Sequence, residues 1–189
     1  NRVIAGTTAQ GATLLGPGKV LHGGSGDTHI GEFTGQKSDR LNTIAAIFSR
    51  AGIPTHPADN VASLIWGKLL VNVGINALTA LTGLKNGQLN DYPETKELVR
   101  LAVLEAAAVA KAAGITLPYA DPVAKVLAIA QATAQNRSSM LQDLSNRRLT
   151  EIDAINGAIV REAEKHNLPV PVNQVLTLLV KTCEKIQQG

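Results

Sequence analysis

Cysteine is almost absent: Cys183 is the single one in 189 residues. One thiol excludes a disulfide framework and a cysteine-based zinc site. It also suits a reducing compartment, so the cytoplasm is the expected location. Aromatic side chains make up only 3%, which argues against a nucleic-acid stacking surface, because such surfaces need rings under the bases. Excess charge is scarce too. A net charge of +3 is too small to imply a DNA partner, though it suits a small anionic substrate. The longest apolar run, around Leu69 to Leu81, contains Asn72 and Asn76 and is shorter than a bilayer-spanning helix needs, so no membrane is expected as a partner. No charged start followed by an apolar segment reads as a secretion signal. The four histidines, His22, His29, His56 and His166, lack helical ligand spacing, and no metal site is expected.

What remains is enough for a folded core: 44% hydrophobic and 17% charged residues rule out wholesale disorder. The length suits one domain, or one domain plus a fragment of another. The chain enters a strand-like run directly from Asn1, which reads as the C-terminal part of a longer polypeptide; the alternative is an N-terminus left by processing. Short runs of strand formers, Arg2-Val-Ile-Ala, Ala12-Thr-Leu-Leu, Lys19-Val-Leu-His and Thr28-His-Ile-Gly, are punctuated by glycines and Pro17. From about residue 37 the pattern is helical throughout. The expected helices run from Ser38-Asp39 to Ala51, Val61 to Leu81, Pro93 to Ala113, Pro122 to Gln135, Ser139 to Ser145, Thr150 to His166 and Val172 to Ile186. The compositional change places a boundary between residues 1–34, β structure, and residues 35–189, all helical.

Two glycine clusters invite a dinucleotide reading, Gly16-Pro-Gly18 and Gly24-Ser-Gly26. Leu21 and His29 stand where a third glycine is required, and neither cluster opens a helix, so both read as turns. Gly67-Lys68 has Ala62 and Leu69 where a phosphate-binding loop needs glycine and Ser/Thr.

The informative segment runs from Trp66 to Leu81. Lys68, Asn72 and Asn76 recur every four residues, so at about 3.6 residues per turn they form one polar stripe on an otherwise apolar helix. That helix is expected to be buried on most sides. A buried ammonium needs a carboxylate or a functional cleft. The plainer account is a hydrogen-bonded ladder between helices. Asn86-Gly87 is a turn signal placed just after this helix, where an amide could be held at the mouth of the same groove. Further on, Ser138 or Ser139 can cap a short helix. Glu151 opens a helix beside Ile152, Ile155 and Ile159, from which a carboxylate could point inward toward Lys68; an ordinary first-turn glutamate is the plainer account. Gly157 would let another helix approach closely.

Taken together, Trp66-x-Lys-x-x-x-Asn-x-x-x-Asn-x-Leu-Thr-Ala, Asn86-Gly, Ser139-Met-Leu-Gln-Asp and Thr150-Glu-Ile-Asp-x-Ile-Asn-Gly resemble the ketopantoate reductase family in order and spacing. Gly6-Thr-Thr-Ala-Gln-Gly-Ala and Thr28-His-Ile-Gly look like the end of that family's N-terminal dinucleotide domain. The resemblance implies a mainly α fold: a helical C-terminal domain of the 6-phosphogluconate dehydrogenase-like type, preceded by a short β remnant of a Rossmann-type domain. It implies reduction of a small 2-oxo acid, 2-dehydropantoate, with NADP(H). Lys68 would then be the general acid and Glu151 its catalytic partner and a holder of the substrate hydroxyl. Asn72, Asn76, Asn86 and Ser139 would bind substrate, and Gly11 and Ala12 would border the cofactor through backbone contacts. The family's N-terminal glycine loop has no counterpart in these residues. Two other readings stand beside this one: a non-catalytic helical module for dimerisation or interaction, and a related reductase for another 2-oxo acid. Homodimerisation is left open by the sequence.

Overall fold

The computed structural model describes residues 3–36 and 38–188. The chain forms two compact units, residues 1–65 and 66–189. The fold is mainly α. The compositional change near residue 35 falls inside the first unit, where strand gives way to helix.

In the first unit β1 (Ala5–Thr8) lies antiparallel to β4 (Thr28–Gly31), with Ala5 opposite Gly31 and Thr8 opposite Thr28. Between them β2 (Gly11–Gly16) and β3 (Lys19–Gly24) form a separate hairpin whose turn holds Pro17 and Gly18. Gly18 takes φ +71°, a backbone conformation that side chains other than glycine's resist. The expected strand at Arg2-Val-Ile-Ala starts later, at Ala5, and Asn1 and Arg2 lie outside the described residues. After β4 comes α1 (Asp39–Arg50), capped by Ser38, whose side chain accepts from Leu41 N (3.3 Å). Leu41 and Ala45, one turn apart, form its buried face.

Helix is not continuous from residue 37. Thr55–Pro57 forms β5, which runs parallel to β4 with Thr28 opposite Thr55. Gly52 and Pro54 stop α1, as expected. The extended residues that follow have a strand edge to pair with, something local pattern cannot reveal. β4, α1 and β5 therefore make a parallel crossover, a connection that needs a helix-length return. Gly31 makes it compact: a Cβ there would sit 2.7 Å from Ala58 O and from Val61 Cβ.

Glu32, at the end of β4, is buried. Its carboxylate accepts from Ser38 Oγ (2.8 Å), Arg40 Nε (2.8 Å) and Arg40 Nη2 (2.6 Å). These bonds, Arg40's foremost, lower its pKa from 4.5 to about 2. The folded value lies below the unfolded one. The stabilisation is therefore complete above about pH 4.5 and is lost as pH falls toward 2. Urea midpoints measured across that window should fall, and Glu32→Gln should flatten part of the slope. An identical slope in the variant would show that Glu32 is not among the titrating groups.

The helix α2 (Val61–Thr82) starts with Asn60 Oδ1 accepting from Ser63 N (3.0 Å). At 22 residues it is longer than the apolar run read from the sequence and is long and apolar enough to cross a bilayer. Yet 56% of its most apolar window is buried, as in the core helix of a soluble protein. In the second unit it is followed by a 3-10 helix (Asn86–Asn90), α3 (Pro93–Ala112), α4 (Pro122–Ala132), α5 (Ser139–Ser145), a 3-10 turn (Ile152–Ala154), α6 (Asn156–Lys165) and α7 (Pro171–Gln188). Leu70, Val73 and Leu78 of α2 share one apolar core with Val99, Val103 and Val109 of α3, Val126 of α4, Ile159 of α6 and Val180 of α7. The alanines of α3 serve close packing: Ala102, Ala106 and Ala110, one turn apart, are fully buried. At Gly74 an added Cβ would lie 2.7 Å from Val126 Cγ1 and 2.9 Å from Val103 Cγ2, so α2 meets α3 and α4 closely there.

The helix expected over Thr150–His166 is broken. Ile155 takes φ −105° and ψ −94°, outside the helical region, and α6 begins only at Asn156. The start of the segment is held elsewhere: Thr150 N and Oγ1 both donate to Glu184 Oε1 of α7 (2.7 Å each). Gly157 makes room for this turn rather than for another helix. Its nearest neighbours would be Asp153 Oδ1, Ile152 O and Arg161 Nη1.

Candidate functional site

The stripe exists as the spacing predicts, since Lys68, Asn72 and Asn76 all lie within α2. Its burial is graded. Lys68 is exposed, Asn72 half-buried and Asn76 buried. The expectation of a buried lysine is therefore corrected. The apolar face at this level of the helix is carried by Leu70 and Val73, and only from Val73 to Thr79 is every position buried. The side-chain amides of Asn72 and Asn76 form no hydrogen bond among the described residues, and their polar atoms are not sealed from solvent. The ladder between helices, the plainer account of these two asparagines, is not formed there.

Thr79 continues the same face one turn beyond Asn76. It is fully buried, and its Oγ1 donates to Ser138 Oγ (2.7 Å) while Ser138 Oγ also accepts from Leu141 N (3.1 Å). Ser138 is thus the cap of α5, and Ser139, exposed, is its first residue. This single hydrogen bond brings the start of α5 to the end of the stripe. Thr79 stands in the family motif quoted from the sequence but was given no role there; its position seven residues after Asn72 on one helical face was the available signal.

Asn86 is buried in the turn after α2, where its Nδ2 donates to Thr133 Oγ1 (3.0 Å) and its backbone N–H to Asn136 O (3.0 Å). Its Oδ1 is buried without a partner among the described residues. The turn is thereby tied to the segment leading into Ser138.

Glu151 is exposed at the entry to the 3-10 turn. A second carboxyl, Asp143, lies one turn after Ser139 on α5 and is half-buried. Burial pushes its pKa up. The negative charge of Glu151 pushes it further, against the opposing pull of Arg148. Asp143 and Glu151 therefore share one electrostatic neighbourhood. The four-residue spacing from Ser139 to Asp143 was the signal that could have found it.

The structure joins Thr79, one turn past Asn76, to the start of α5, and sets Asp143 within electrostatic reach of Glu151. Gly11, half-buried, and Ala12, exposed, lie on the β2–β3 hairpin of the first unit. A helix start open to phosphates is the usual cradle for a dinucleotide. At the start of α1 the buried Glu32 carboxylate already takes Ser38 Oγ and Arg40, and the start of α2 is capped by Asn60. Neither of these two helix starts is open to a pyrophosphate.

The family model "Ketopantoate reductase PanE/ApbA C terminal" matches residues 60–184. The 2-dehydropantoate 2-reductase of Halobacterium salinarum is 39% identical over 97% of this chain and 60% of its own length. A PanE/ApbA family ketopantoate reductase from Ralstonia eutropha JMP134 superposes with a TM-score of 0.89 at 37% identity, over 98% of this chain and 60% of that one. D-mandelate dehydrogenase, solved with NADH and anilino(oxo)acetate, superposes with a TM-score of 0.89 at 31% identity, over 98% of this chain and 61% of that one. The chain thus spans about three fifths of the length of these relatives. Helix order, the polar stripe of α2 and the match across residues 60–184 lead to one conclusion: this chain belongs to the ketopantoate reductase family and corresponds to its C-terminal part.

Proposed function

We propose that this chain is the substrate-binding part of an NADPH-dependent 2-dehydropantoate 2-reductase, a cytoplasmic enzyme on the route to pantothenate and coenzyme A. The observation that carries the reading is the pair of unpartnered amides, Asn72 and Asn76, on the same face as Lys68. The polar atoms of these amides are not sealed from solvent, so a ligand that accepts their N–H groups takes the place of water there. The carboxylate and hydroxyl of a hydroxylated 2-oxo acid are such acceptors. Asn72, Asn76 and Ser139 hold them, and Glu151 accepts from the hydroxyl.

Lys68 supplies the proton to the carbonyl oxygen as the ketone becomes an alcohol, which both stabilises and neutralises the developing alkoxide. Placing the carbonyl rigidly contributes up to ~7–11 kcal/mol in favourable cases. NADPH, when bound, would supply the hydride; the starts of α1 and α2 offer it no phosphate cradle. Asn86 holds the turn through its Nδ2 bond to Thr133 and keeps its buried Oδ1 for a donor of the substrate.

The first unit is read as the end of an N-terminal dinucleotide-binding domain. Its end is drawn at residue 65 rather than 34, because α1 and β5 complete the parallel crossover that β4 begins. Accordingly, this chain alone should not oxidise NADPH with 2-dehydropantoate, yet pantoate should shift the side-chain amide resonances of Asn72 and Asn76. Normal turnover by the chain alone, or no shift at saturating pantoate, would count against the reading. A second reading, a reductase for another 2-oxo acid, is favoured by the likeness to D-mandelate dehydrogenase. Stronger shifts with mandelate than with pantoate would select it.

A further inference from the structure

We propose that Asn156 is a positioning residue for the amide stripe of α2, and that Glu105 sets its orientation from α3 through Asn173. The inference rests on the stripe being the substrate site. Asn156 and Asn173 are both fully buried. The Glu105 carboxylate accepts Val172 N (2.9 Å) on Oε1, and Asn173 N (3.0 Å) and Asn173 Nδ2 (2.7 Å) on Oε2. The carboxylate is the acceptor in all three bonds, so Asn173 must turn its NH2 toward it. The second hydrogen of that NH2 goes to Ala102 O (3.0 Å). The oxygen of Asn173 is then left facing α6, and only a donor can meet it. Asn156 Nδ2 does so at 3.0 Å, and the same nitrogen reaches Val73 O of α2 at 3.4 Å. Every orientation along this chain of bonds follows from the carboxylate at its far end.

Two features make the relay more than packing. Val73 follows Asn72 directly in sequence, and Asn156 opens α6 immediately after the turn that starts at Glu151. One amide therefore ties the helix of the stripe to the segment of the carboxylate. Second, Asn156 Oδ1 is buried with no partner among the described residues. A residue selected for packing alone would be apolar at such a position, because an orphaned acceptor weakens the core.

The test uses Asn156→Asp, which keeps the shape but leaves at most one donor where two served Asn173 and Val73, beside Glu105→Gln, which weakens the acceptor that orients the relay. Amide hydrogen exchange is followed in the full chain, and pantoate affinity is measured by calorimetry. Asn156→Asp should speed exchange at Val73–Ala77 at least tenfold while leaving α4 unchanged, and should weaken pantoate at least fivefold. Adding Asn76→Ala should then cause little further loss, because both changes act on one stripe. Glu105→Gln should reproduce the local exchange pattern, and it serves alone if Asn156→Asp does not fold. Unchanged exchange at Val73–Ala77 overturns the relay, as does an equal rise in every helix or full additivity with Asn76→Ala. If the unaltered chain binds no pantoate but the local exchange pattern appears, the relay stands and the substrate reading falls.

Discussion

Lys68→Ala, introduced into a polypeptide that also carries the nucleotide-binding part, is expected to lower the rate of 2-dehydropantoate reduction at least tenfold. That corresponds to ~1.4 kcal/mol or more in barrier. The side chain is exposed, so its loss removes no core contact, and the melting temperature should hardly move. Steady-state kinetics and calorimetric melting on the same preparation separate the two effects. A general acid acts on charge that develops only as the carbonyl is reduced, so the loss should fall on kcat more than on KM. A rate within twofold of the unaltered enzyme would remove Lys68 from the chemistry. A loss confined to KM would make it a substrate anchor instead.

Leu70→Ala is expected to show the opposite pattern. Leu70 is fully buried and belongs to the core shared by α2, α3 and α4. Truncating a buried leucine removes the transfer free energy of its methyl groups and leaves a cavity, together costing about 2–5 kcal/mol. Against a typical total of about 5–15 kcal/mol, that is a large share of the stability. Urea unfolding should show it as a lower midpoint with an unchanged slope. Pantoate binding per folded molecule should survive, since Leu70 carries none of the stripe. A loss below about 1 kcal/mol would mean that the neighbouring valines collapse into the space, which the tight contacts around Gly74 argue against.

Much of the helical architecture could be read in advance, because its signals are local. Asp121 accepts from Ala124 N (2.9 Å) as the cap of α4, and Pro93 opens α3. Gly52, Gly83 and Gly114 stand just past helix ends with positive φ. The short α5 has the bounds that its serine cap predicts. Elements whose stability comes from a distant partner were not legible. β5 is three residues long and exists because β4 offers it an edge. The helix expected at Thr150 is interrupted because Glu184, thirty-four positions away, holds its first residue.

The candidate site divides in the same way. Period alone placed Lys68, Asn72 and Asn76 on one face, since side-chain direction along a helix follows from backbone geometry. The amino-acid order by itself also excluded a disulfide framework and marked the turns. Only the tertiary structure decided which part of that face is covered. It left Lys68 exposed, buried Asn76, drew Thr79 to Ser138, raised the pKa of Asp143 beside Glu151, and turned Asn156 toward Val73. The reason is physical. Local spacing sets the direction in which a side chain leaves its own helix, whereas burial, dielectric and hydrogen-bond orientation are set by what other segments bring against it.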